Sequence, residues 1–92
     1  MTSIDSLKEV ILIRDKEGVK TALSSIMEEL RTNEDLYMAL TTPSVITEIH
    51  QMLIDHLGVN PRLMKVNGRI ISRQRRAIMF TQAMLNGVNY LK

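Results

Sequence analysis

The residues of this sequence that could do chemistry are concentrated in one stretch, PRLMKVNGRIISRQRR, which runs from Pro61 to Arg76. This basic stretch contains no acid, and its cations are Arg62, Lys65, Arg69, Arg73, Arg75 and Arg76. Guanidinium groups stay charged at physiological pH and bind phosphate oxygens through paired hydrogen bonds. Such a composition is typical of a surface that binds a polyanion.

The charge of the chain is divided unevenly between its two halves. Residues 1–50 carry nine acids and five Lys or Arg, whereas residues 51–92 carry one acid and seven Lys or Arg. The balance is therefore −4 in the first half and +6 in the second, although the net charge is only +2. This asymmetry favours an anionic partner. The alternative is that the acidic half covers the basic half, within one chain or across a dimer.

No pattern in the sequence predicts catalysis, a metal site or a cofactor. The two histidines, His50 and His56, are six residues apart and do not share a helical face, so they lack the spacing of a helical metal pair. The chain has no cysteine, and its four glycines are too scattered for a phosphate-binding loop. We therefore expect a protein that is not an enzyme.

The elements that must position the basic stretch are predicted to be helices. Apolar residues recur every three or four positions from Val19 to Leu30 and from Val45 to Leu57, which is the spacing of amphipathic helices. Start and stop signals predict helices at about 4–14, 16–30, 34–40, 43–57 and 69–90. The prediction is an all-α, single-domain protein, a small bundle of four to five helices ending in a long C-terminal helix.

The basic stretch itself is predicted to be amphipathic. On a helical wheel five of its cations fall within roughly 80° of one another and its isoleucines lie on the other side; the five are Arg62, Lys65, Arg69, Arg73 and Arg76. Gly68 is unfavourable inside a helix, and Asn67-Gly68 is a turn signal, so a break at this pair is slightly favoured over a continuous helix. In either case Arg69, Arg73 and Arg76 are expected to share one face.

The last helix is apolar on most sides, and a helix of that kind is buried. A chain of 92 residues offers few partner helices, so we expect a homodimer that uses this helix. The alternative is that it forms the central helix of a monomeric bundle. The expected dimer interface contains Met79, Phe80, Ala83, Gly87 and Tyr90. The core is expected to contain Leu23, Ile26, Leu30, Ile49, Leu53, Ile78 and Leu85.

Leu57-Gly58-Val59-Asn60-Pro61, followed by Asn67-Gly68-Arg69, resembles the turn and second helix of lambda-repressor-like helix-turn-helix domains. The resemblance implies a recognition helix that begins near Asn60-Pro61, with Arg62 and Lys65 facing a DNA groove. The interval from Pro61 to Asn67 is shorter than in that family. Ile54 also stands where the family has a small residue.

Two functions follow from these patterns. The first is a non-enzymatic nucleic-acid-binding accessory or regulatory protein, whose binding is mostly electrostatic because few base-reading residues, Gln74 and Asn67, accompany the arginines. The alternative is a protein-binding adaptor or assembly factor whose arginines dock on an acidic partner, with Met52 and Met79 packing adaptably against it. The sequence shows no signal peptide or membrane-spanning run, so we expect a cytoplasmic protein without a membrane partner.

Overall fold

The computed structural model describes residues 2–67 and 72–91 of the chain. Helices account for 77% of this part, which contains no β-strand. The helices are α1 (Ser3–Leu12), α2 (Lys16–Glu29), α3 (Glu34–Ala39), α4 (Pro43–Leu57), a 3₁₀ helix (Pro61–Met64) and α5 (Arg73–Asn89). The all-α prediction is confirmed, as is the long C-terminal helix.

Most helices begin where a polar side chain can cap the free backbone N–H groups of the first turn. The hydroxyl of Thr2 accepts from the N–H of Asp5, the carboxylate of Asp15 from Gly18, and the amide oxygen of Asn33 from Leu36. These bonds depend only on residues three apart. That local dependence is the reason the starts of α1, α2 and α3 could be predicted from the sequence.

Two predicted helix boundaries were wrong, one at the end of the first helix and one at the start of the last. The first helix ends at Leu12 rather than near Arg14, because Arg14 adopts a left-handed conformation with φ 57° and turns the chain into α2. The last helix begins at Arg73 rather than Arg69, because Ser72 is extended and its hydroxyl caps the N–H of Arg75. The end of α4 was correct, and Gly58 stops it at φ 72°.

The helix-turn-helix expectation is wrong. Pro61–Met64 forms a 3₁₀ helix of only four residues, capped by Asn60, and Lys65 that follows it is extended. A single turn is too short to be a recognition helix, so the resemblance does not extend to the structure of residues 61–65.

The core lies where α5 meets α2, α3 and the 3₁₀ helix, with α1 packed across α2 and α4. The predicted core residues of α2 and α4 are buried: Leu23, Ile26, Leu30, Ile49 and Leu53. Ile78 and Leu85 of α5 are only partly buried. The face of α5 that the core covers instead carries Ala77, Thr81, Met84, Gly87 and Val88.

Candidate nucleic-acid interface

The cations of the basic stretch lie on two elements rather than on one helical face. Arg62 belongs to the 3₁₀ helix and Lys65 follows it, whereas Arg73, Arg75 and Arg76 occupy the first turn of α5. Arg69 lies outside the described residues, so the face predicted for Arg69, Arg73 and Arg76 is untested at its first position. The 3₁₀ helix packs against α5, which brings the two groups onto adjoining elements.

Arg73 has a structural contact that the sequence did not reveal. Its Nε donates to the hydroxyl of Thr41 at 2.8 Å, and its Nη2 donates to the carbonyl of Met38 at 2.9 Å. The Met38 carbonyl lies at the C-terminal end of α3, where the helix dipole favours a cation. Arg73 therefore caps α3, and two of its five donors are used inside the molecule.

Gln74 makes the equivalent contact with α2. Its Nε2 donates to the carbonyls of Leu30 and Arg31, at 3.0 and 3.1 Å. These carbonyls lie at the C-terminal end of α2, where no helical N–H follows to bond them. The side-chain nitrogen of Gln74 is thus occupied within the chain. A base-reading glutamine uses both its amide nitrogen and its amide oxygen to bond a base, and here the nitrogen already has partners.

Arg62, Lys65, Arg75 and Arg76 are exposed. The ion pairs within residues 2–67 and 72–91 include Lys8–Glu48 at 3.0 Å, Lys20–Glu17 at 3.3 Å and Arg31–Glu28 at 3.7 Å. All three lie in the acidic half of the chain. In the part that the structure describes, no ion pair therefore joins the acidic half to the basic stretch.

A shallow groove of about 230 Å³ separates the segment after the 3₁₀ helix from one face of α5. One wall is formed by Lys65, Val66 and Asn67, and the other by Met79, Gln82, Ala83 and Asn86. Gln82 Nε2 donates to Asn86 Oδ1 at 2.9 Å. Lys65 was predicted to bind a polyanion and Asn67 to read bases, whereas the other groove residues were not predicted as part of a binding site for nucleic acid.

The residues predicted for a dimer interface differ in their exposure. Tyr90 is 72% and Met79 37% exposed, and Phe80 and Ala83 are partly buried. Gly87 is buried beneath Val59 and Met64 of the same chain, where an added Cβ would lie 2.8 Å from Val59 Cγ1. The close approach expected at Gly87 is therefore made within the monomer, and the homodimer stays a prediction.

Of the two histidines, His50 is half-buried and packs against Phe80. Burial lowers the pKa of His50 below its usual 6.5, and its buried Nε2 has no hydrogen-bond partner among the described residues. Its ring meets the edge of Phe80 at a centroid distance of 6.5 Å. In the same part of the chain, no group of three or more His, Asp or Glu side chains could hold a metal ion.

A second cavity, of about 490 Å³, lies between the start of α1 and α3, and no residue of the basic stretch lines it. Glu29 on its wall accepts hydrogen bonds from the Ser3 hydroxyl at 2.6 Å and the Asn33 amide at 2.9 Å. These contacts join α1, α2 and the start of α3. Both oxygens of Glu29 are therefore used for structure.

Comparisons of the chain with protein-family models, with curated proteins and with solved structures found no match. The helices seen in residues 2–67 and 72–91 are also too short or too polar to cross a membrane. The chemistry of the basic stretch and the groove beside it is therefore the basis on which function can be argued.

Proposed function

We propose that this protein is a small, non-enzymatic nucleic-acid-binding protein whose interface is formed by Arg62, Lys65, Arg75 and Arg76. The observation that carries the proposal is that these four side chains are exposed and that no ion pair of the described residues includes them. A cation without an acidic neighbour gains most from a phosphate, because binding replaces weakly held counterions rather than an internal partner.

The helical bundle supports this role by fixing the position of the arginines. Arg73 and Gln74 attach the first turn of α5 to the ends of α3 and α2. Arg75 and Arg76 follow directly on the same turn, so their backbone is held by these bonds while their side chains point to solvent. Rigid presentation lowers the entropy that must be lost when phosphates are bound.

Fluorescence anisotropy with labelled duplex and single-stranded DNA and RNA tests the proposal. We expect binding at about 50 mM salt that weakens steeply as salt is raised. The double variant Arg75→Ala, Arg76→Ala should lose most of the affinity. Lys20→Ala, Arg31→Ala is the matched control, because it removes the same charge from α2 and the turn after it. Equal loss in both variants, or no binding by the folded wild type, would reject the proposal.

The second candidate is a protein-binding adaptor or assembly factor. It is favoured by Leu12 and Ile13, two adjacent aliphatic side chains that are 55% and 72% exposed at the turn between α1 and α2. Exposed aliphatic pairs of this kind occur at protein contacts. Replacing both by Ser should abolish partner binding in an adaptor and leave anisotropy with nucleic acid unchanged.

A further inference from the structure

The groove between Lys65–Asn67 and α5 has the polar lining and the size to bind one small planar ring. Its seven lining residues include three carboxamides and one cation, and no acid. Its volume of about 230 Å³ is below the roughly 300–1,000 Å³ of pockets that enclose drug-sized ligands. It has room for one small planar ring rather than for a cofactor.

The carboxamides present both donors and an acceptor to this space. Gln82 and Asn86 lie one turn apart on α5, and the bond from Gln82 Nε2 to Asn86 Oδ1 fixes their relative orientation. This bond leaves Gln82 Oε1 as an acceptor and the Nδ2 hydrogens of Asn86 as donors. Asn67 adds a third carboxamide from the opposite wall. Paired donors and acceptors of this kind recognise the edge of a nucleobase.

The remaining surface of the groove suits the face of a ring. Met79 is 37% exposed, and its thioether can make favourable contact with an aromatic ring. Ala83 is small, so the groove stays open beside Met79. A base within a duplex exposes only its edge, whereas a groove with both an apolar surface and amide walls can hold a base that has left the stack.

The nearest cations are placed to hold the phosphates on either side of such a base. Lys65 lies on the rim of the groove. Arg75 precedes Met79 by four residues and Gln82 by seven, so the three share one face of α5. At about 1.5 Å per residue, Arg75 lies roughly 10 Å from Gln82 along the helix.

We infer that this groove binds one unpaired nucleobase of a single-stranded nucleic acid, with Gln82 and Asn86 contacting its edge and Met79 its face. The inference rests on the proposed function and names its substrate class. If so, part of the binding free energy comes from contacts with the base rather than with the phosphates. Substitutions in the groove should reduce that part, and a change in salt concentration should not.

The test compares labelled single-stranded DNA of about 12 nucleotides with an abasic strand of the same length and charge. We expect the wild type to bind at least one of oligo(dA), oligo(dC) and oligo(dT) about 5-fold or more tightly than the abasic strand. Ala83→Leu, which fills the groove, should remove this difference without changing the salt dependence. The double variant Gln82→Ala, Asn86→Ala should do the same, and both of its positions are exposed, so the fold is retained.

Gln51→Ala on α4 is the control, because it removes an exposed carboxamide that bonds Asp55 and lies outside the groove. If the wild type binds all strands equally, including the abasic one, the groove inference fails and the proposed function stands. If no strand binds at low salt, the groove inference fails, and the proposed function fails with it only when duplex DNA and RNA do not bind either. If poly-glutamate competes and its binding is lost in Ala83→Leu, the groove takes an acidic peptide and the inference is overturned.

Discussion

The guanidinium of Arg73 lies against the hydroxyl of Thr41, with Nε 2.8 Å from Oγ1, although 32 residues separate the two in the chain. Thr41 is only 8% exposed, and its hydroxyl lies 2.8 Å from the Tyr37 carbonyl as well. The contact joins the start of α5 to the end of α3. It distinguishes Arg73 from Arg75 and Arg76, which the sequence presents as equivalent members of one basic stretch.

Arg73→Ala should lower the free energy of unfolding by about 1–2 kcal/mol, since it removes two hydrogen bonds from a charged donor and the cation at the end of α3. Arg75→Ala should change it by less than about 0.5 kcal/mol, because Arg75 is exposed. Urea unfolding followed by circular dichroism measures both. Equal stability of the two variants would show that the Thr41 contact contributes nothing.

Gly87→Leu should destabilise the folded monomer. The added Cβ alone would lie 2.8 Å from Val59 Cγ1 and 3.2 Å from Met64 Cγ, and both neighbours are buried. Overpacking of this kind typically costs about 1–3 kcal/mol, which exceeds the roughly 1 kcal/mol that a helix gains when glycine is replaced.

Ala83→Leu is the matched comparison for Gly87→Leu, because it adds the same side chain one turn earlier on α5, on the wall of an open groove. Its unfolding free energy should stay close to that of the wild type. Light scattering on both variants separates folding from assembly. A folded Gly87→Leu protein with weakened self-association would place Gly87 in a dimer interface after all.

The helix pattern was predictable because its determinants are local. The N–H of Gly18 donates to Asp15 and that of Leu36 to Asn33, so a cap's two residues are only three positions apart in the sequence. The buried side of α5 was not predictable, because that helix carries apolar residues on most sides. Its spacing does not say which of Ile78 and Ala77 the neighbouring helices will cover, and the structure covers Ala77 more fully.

The candidate site was predictable in its chemistry and not in its arrangement. The sequence identifies Arg62, Lys65, Arg75 and Arg76 as cations, but their separation onto two elements depends on the short 3₁₀ helix and on the start of α5 at Arg73. The roles of Arg73 and Gln74 depend on carbonyls more than 30 residues away. No local signal distinguishes a capping arginine from one that faces solvent.

The free energy of unfolding should fall as the pH is lowered from about 7.5 to 5.5. The folded protein holds the pKa of His50 below its usual 6.5 because burial penalises the charged ring. The unfolded chain therefore binds more protons in the window that begins near 6.5 and extends down to the folded pKa. The contribution of His50 is fully present above 6.5 and is lost as the pH falls through that window.

His50→Phe should flatten this pH dependence, as measured by urea unfolding at several pH values. Asp5, whose pKa is held below 3.8 chiefly by a hydrogen bond with the Thr2 side chain, loses its contribution only at lower pH, so the two effects are separable. An unchanged slope between pH 7.5 and 5.5 in His50→Phe would assign the dependence to another group.

The salt dependence of nucleic-acid binding should separate the arginines by their roles. Each phosphate neutralised on duplex DNA contributes a slope of about −0.9 to log K against log salt, so contacts from Arg62, Lys65, Arg75 and Arg76 predict a slope of about −3 to −4. Arg75→Ala should flatten it by about one unit and weaken binding to all sequences alike. Arg73→Ala should change the slope less, because Thr41 and Met38 already hold two of its donors. Arg73→Ala should instead lower the free energy of unfolding. Anisotropy titrations at several salt concentrations, with unfolding curves for the same variants, decide the matter. A full unit of slope lost in Arg73→Ala with unchanged stability would mean that Arg73 leaves α3 to bind phosphate.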